Sequence, residues 1–150
     1  MKADVIGIVE ITDTASGYRV LDAMVKAAPV TIMKAETVNP GKFLIFVTGE
    51  VASLEYAMDA ALNCGGETVI DHLLLKNPDP AVIAALGGVD DEQEAPAIET
   101  IEAVGIIETD SITAAVEAAD RSVKAADVRI LSIETGVRAG GRGITSICGA

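Results

Sequence analysis

Apolar positions along the chain change period several times, and each change marks an element. Ala3 to Ile11 is a short run rich in Val and Ile, which predicts a strand buried on both faces. Thr12 to Thr14 supply turn and N-cap chemistry, and from Ser16 to Ala28 the residues Val20, Leu21, Met24, Val25 and Ala28 recur at helical spacing. Pro29 ends that helix because it brings no amide donor. Val30 to Thr37 alternates weakly and predicts a second strand, Asn39-Pro40-Gly41 a turn, and Phe43 to Thr48 a third strand. Val51 to Asn63 places Val51, Leu54, Met58, Ala61 and Leu62 on one helical face, with Gly65-Gly66 as the stop signal. Thr68 to Leu75 completes the set as a fourth strand. Strand, helix, strand, strand, helix, strand is a split β-α-β order, so the fold class expected is α+β of ferredoxin-like type. Asn77 to Leu86 predicts a short extra helix, with Asp79 as cap and Pro80 in the first helical position.

The pattern then starts again. Val5-Ile6-Gly7-Ile8-Val9-Glu10 returns as Ala103-Val104-Gly105-Ile106-Ile107-Glu108, and the helix text Leu21 to Ala28 returns as Ala119 to Ala126, both at an offset of 98 residues. One offset serving two matches points to tandem duplication of a whole domain, since solenoid periods are far shorter. Residues 1–87 are expected to form the first domain with its short C-terminal helix, 88–99 an acidic linker, and 100–150 the N-terminal part of a second domain. The second copy supplies a strand, a helix in which Ile112, Val116, Ala119, Val123 and Ala126 align, a further strand, the loop Gly136 to Gly143, and a strand from Ile144 to Cys148. It lacks the second helix and fourth strand. Such a half-unit exposes a sheet edge and an apolar face, which invites a neighbour.

Composition narrows the function. Half of the 150 residues are apolar but only 3% are aromatic and none is Trp, so the core is built of small aliphatic side chains and offers no stacking platform for bases. A net charge of −12 disfavours nucleic acid and anionic membranes alike, because both are held by Lys and Arg. Cys64 and Cys148 are too few for a disulfide framework, and no signal peptide or spanning segment is legible, so a cytoplasmic setting is expected.

Four stretches carry a family likeness: Ile6 to Glu10, Asp22 to Ala28, the Pro40-Gly41-Lys42-Phe43 turn, and Gly49-Glu50-Val51. In this order, two of them repeated, they resemble the shell proteins of bacterial microcompartments. The double domain is similar to the tandem-domain members, which form trimers that mimic a hexagon. Thr37 to Phe43 and Asn77 to Val82 make the likeness greatest to the member from propanediol-utilising compartments. The resemblance implies a non-enzymatic structural protein of a microcompartment shell. It would be a homotrimer packed laterally against other shell proteins, with small metabolites crossing a pore.

In that family the loop between the second and third strands surrounds the pore. It maps here to Val38, Asn39, Pro40, Gly41 and Lys42 in the first copy and to Gly136 through Arg142 in the second, with Arg138, Ala139, Gly140, Gly141 and Arg142 as expected lining. The resemblance also implies that Lys26 and Lys124, at equivalent helix ends, lie at the assembly rim; a solvated lysine complementing the helix dipole is the plainer reading. The relative's pore cysteine, which binds an iron–sulfur cluster, corresponds here to Asn39. An amide is a poor iron ligand, so no cofactor or metal is expected, and three Asn39 side chains would instead make a neutral hydrogen-bonding ring. Arg138 and Arg142 would add local positive charge favouring anions. The glycines from Gly136 to Gly143 lack phosphate-loop spacing. His72, the one histidine, has no nucleophile or second ligand beside it in sequence, so no catalytic residue is expected. A small-molecule-binding regulatory domain of the same fold is the rival reading.

Overall fold

The computed structural model describes residues 4–87, 100–135 and 139–149. Its elements follow the sequence pattern closely: β1 (Val5–Ile11), α1 (Thr14–Ala27), β2 (Thr31–Val38), β3 (Lys42–Thr48), α2 (Val51–Gly65), β4 (Val69–Lys76), α3 (Pro80–Ala85), β5 (Ala103–Thr109), α4 (Ile112–Ala125), β6 (Arg129–Glu134) and β7 (Gly143–Gly149). A single turn of 3₁₀ helix, Gly66–Thr68, joins α2 to β4 where the sequence showed only a stop signal. The chain divides into two compact units at Pro78–Asp79.

In the first unit an antiparallel sheet runs in the order β2-β3-β1-β4, so the opening strand is central and has a partner on each edge. Its odd-numbered residues Val5, Val9 and Ile11, with Phe43, Ile45 and Val47, form one face and pack against Val20 and Met24 of α1 and Leu54, Ala57, Met58 and Ala61 of α2. All seven residues of β1 are buried, including Ile6, Ile8 and Glu10 on the other face.

The second unit repeats this plan with fewer parts. Its sheet has the order β5-β7-β6 among the described residues, and β5 pairs only with β7. Helix α4 packs on that sheet through Ile112, Ala115, Val116 and Ala119, all fully buried. Equivalent caps start the matched helices α1 and α4: the Ser16 amide donates to Asp13 at 2.9 Å, and the Ala114 amide donates to the Ser111 hydroxyl at 3.0 Å.

Core packing in the two units differs by an exchange of volume. A Cβ on Gly17 of α1 would collide with the ring of Phe43, whereas the matched positions in the second unit hold Ala115 and Gly143, where a Cβ on Gly143 would collide with Ala115 and the Ser111 carbonyl. The small residue has moved from helix to strand. Register matching also sets Thr145 at the place of Ile45, and its buried hydroxyl donates to the Ala115 carbonyl at 2.8 Å. This satisfies a polar group that would otherwise be costly inside.

One boundary differs from the sequence reading, which gave the short helix to the first domain. Helix α3 packs on α4 and β6, burying Val82, Ile83 and Leu86, and the Asp79 amide donates to the Asp120 carboxylate at 2.8 Å. Its apolar side chains therefore serve the second unit, and adjacency in sequence misled the assignment. The expected linker at 88–99 lies outside the described residues.

Candidate functional site

Each of the two expected pore loops contains a turn closed by a backbone hydrogen bond among the described residues. In the first, Val38 ends β2 and Lys42 begins β3; the Gly41 amide donates to the Val38 carbonyl at 2.9 Å and closes a tight turn. Gly41 has φ of +132°, a conformation that a side chain would strain. Val38 is buried, so what this turn offers to solvent comes from Asn39, Pro40 and Gly41. In the second hairpin the Arg142 amide donates to the Ala139 carbonyl at 3.1 Å, with Gly140 and Gly141 at φ of +61° and +83°. Gly140 and Arg142 are exposed, Ala139 half-buried and Gly141 buried. Arg138 lies outside the described residues.

The cations of these turns are paired. Lys42 Nζ donates to Glu10 Oε2 at 3.4 Å, and Arg142 donates to Glu108 Oε1 at 2.8 Å while lying 3.7 Å from Asp110. The hydrogen bond and charge of Glu108, with the charge of Asp110, raise the Arg142 pKa above its ordinary value. The anion-favouring charge expected of Arg142 is thus already directed at a carboxylate on the neighbouring strand β5. Sequence reasoning missed Glu10 and Glu108 as site residues. The available signal was an acidic residue in an apolar strand, recurring in both copies.

The expected rim lysines also recur as pairs. Lys26 donates to Asp22 at 2.7 Å near the end of α1, with both side chains well exposed. Lys124 donates to Asp120 at 2.6 Å near the end of α4, where the carboxylate is buried and also receives the Asp79 amide. His72 is exposed on β4, Cys64 is half-buried and Cys148 buried. No group of three His, Cys, Asp or Glu suited to a metal occurs among the described residues, nor is any described helix long and apolar enough to cross a membrane.

A duplicated split β-α-β unit with matched hairpin turns is what comparison with known families recovers: the BMC domain matches residues 5–78 and again 103–150. The chain belongs to the BMC-domain shell proteins. Among relatives, the bacterial microcompartment shell protein PduT of Citrobacter freundii is 35% identical over 137 residues, covering 91% of this chain and 71% of that one. The carboxysome shell protein CcmK3 of a Halothece species is 31% identical over 77 residues, 49% of this chain and 76% of the relative. A crystal structure of a microcompartment protein from Desulfitobacterium hafniense superposes with a TM-score of 0.79 at 32% identity, over 99% of this chain and 79% of that one.

As a tandem BMC-domain shell protein, the chain is a structural component of a microcompartment shell. Both hairpin turns fall within matched domains. Among shell-protein features, the doubled ion pairs at turn and helix end belong to both domains, while burial of the carboxylate differs between them at each place.

Proposed function

We propose that this shell protein is a tile: three chains close head to tail into a ring with six quasi-equivalent domains, the rings pack laterally through rims that include Lys26 and Lys124, and the hairpin turns line a central opening. The observation that carries this reading is a mismatch between equivalent surfaces. Ile6 and Ile8 of β1 are fully buried, while their counterparts Val104 and Ile106 on β5 are 58% and 71% exposed. An apolar strand face of that kind needs a cover, and a second copy of the chain brings one already matched to it. Heterologous contacts of this sort close into rings when the rotation permits, and two pseudo-equivalent domains per chain make threefold closure approximate a hexagon.

Around the opening, three Asn39 side chains would present amide donors and acceptors without net charge, suiting small polar metabolites. Electron microscopy of the purified chain tests the proposal. Sheets, tubes or hexagonally packed particles are the expected result; discrete particles that never associate laterally would contradict it.

A further inference from the structure

Lys42 and Arg142 occupy matched places. The sheet registers align Ile11 with Phe43 in the first unit and Thr109 with Gly143 in the second, so each cation stands one residue before the aligned strand position. Each reaches across the sheet to the matched glutamate of the unit's opening strand, Glu10 or Glu108, more than thirty residues away in sequence. The surroundings of the two pairs are opposite. Glu10 is completely buried, whereas the Glu108 and Arg142 side chains are 56% and 57% exposed.

A buried carboxylate demands a partner whatever the function, so the first pair alone would be explained by burial. The second has no such need. Water could solvate Glu108 and Arg142 separately at little cost, yet the same contact is made at the same register with a different cation. What the two pairs share is their place beside the turn hydrogen bonds, Gly41 to Val38 in one hairpin and Arg142 to Ala139 in the other.

We propose that Glu10 and Glu108 are positioning residues that latch the two hairpin turns through Lys42 and Arg142. The cations are then anchors, with their charge spent on the sheet and not offered to a passing solute. What the turns present is set by Asn39 in one hairpin and the glycine pair in the other. The latch stands on the geometry of the single chain; only its consequence for permeation rests on the pore reading above.

Two measurements on the full chain separate these claims. The first is amide hydrogen exchange at the Gly41 and Arg142 amides. Lys42→Gln is expected to speed exchange at Gly41 by at least about tenfold, since it removes the ammonium partner of a buried carboxylate. Arg142→Gln is expected to speed exchange at residue 142 by about two- to threefold, as befits an exposed pair. Lys42→Arg and Arg142→Lys should restore protection, and amides in β1 and β5 should be unaffected by the exposed-pair variants. Because Glu108 and Arg142 lie at the surface, their variants remain informative if changes at Glu10 or Lys42 prevent folding. Unchanged exchange at both turns overturns the latch.

The second is the reversal potential of the assembled oligomer in a planar bilayer under a KCl gradient. A Glu108→Gln/Arg142→Gln double variant is expected to keep the wild-type ion preference, because a neutral pair replaces a paired one. Loss of chloride preference in that double variant would make Arg142 a pore charge and overturn the anchor role. If turn exchange rises as expected while Glu108→Gln alone leaves the reversal potential unmoved, the latch stands and the pore reading fails.

Discussion

Strands β1 and β5 carry nearly the same text, Val-Ile-Gly-Ile-Val-Glu against Ala-Val-Gly-Ile-Ile-Glu, and meet opposite fates. The first is central in its sheet, with β3 on one edge, β4 on the other and both faces buried. The second has β7 on one edge, and Val104 and Ile106 stand in solvent. Sequence sets the alternation and the hydrogen-bonding register; neighbours decide whether an apolar side chain becomes core or surface. In the first unit β4 pairs with the second edge of β1, and no counterpart of β4 is among the described elements of the second. Energetically, the same isoleucine is therefore a stabilising element in one place and, in the proposed assembly, a docking element in the other.

That contrast yields a ranked set of outcomes. The largest concerns the matched pair Ile8 and Ile106. Ile8→Ala should cost about 3 kcal/mol, the transfer and cavity terms of a fully buried side chain, whereas Ile106→Ala should change the chain's own stability by about 0.5 kcal/mol or less. Urea unfolding of the two variants makes the comparison, and equal losses would break it.

Next comes the exchanged volume in the helix–strand contact. Gly17→Ala should cost about 1–3 kcal/mol by overpacking against Phe43. Gly143→Ala should show a loss of similar size, recovered in part by adding Ala115→Gly; the Ser111 carbonyl, being backbone, keeps the recovery incomplete. A smaller effect is expected at the helix caps. Ser111→Ala should cost about 1 kcal/mol through the lost hydroxyl acceptor for the Ala114 amide, read by thermal unfolding.

The smallest effect is one of pH. The Ser16 amide and the neighbouring Thr12 hydroxyl hold the Asp13 carboxyl below its ordinary value of 3.8. A depressed folded value means that its contribution is complete above that ordinary value and is lost as the pH falls through the lower one. Amides in the first turn of α1 should accordingly lose protection only in strong acid, and Asp13→Ala should abolish the dependence. The Ser111 cap of α4, being a hydroxyl, should show none.

Much of this architecture was legible in the sequence because it rests on local periodicity. The opening strand, the helix ended by Pro29 and the Asn39-Pro40-Gly41 turn were all placed within a few residues of their structural bounds. Long-range choices were not legible. The partner of α3 depends on which apolar surface lies within reach of Val82 and Ile83, and nothing in Asn77 to Leu86 encodes that. Glu10 reads as one acidic residue in an apolar strand; its burial and its tie to Lys42 depend on residues 32 positions away. Similarly, the arginine expected to charge the pore loop was legible as a residue, but the carboxylate that engages it was not. Val38, expected to line the loop, is buried beneath the turn for the same reason.

The central claim is that copies of the chain cover the face that β5 exposes. Native mass measurement of the wild-type chain and of Ile106→Asp tests it most directly. Wild type is expected at three times the 15.4 kDa chain mass, and the variant as a folded monomer. A wild-type monomer, or a trimer that survives Ile106→Asp, would contradict the account.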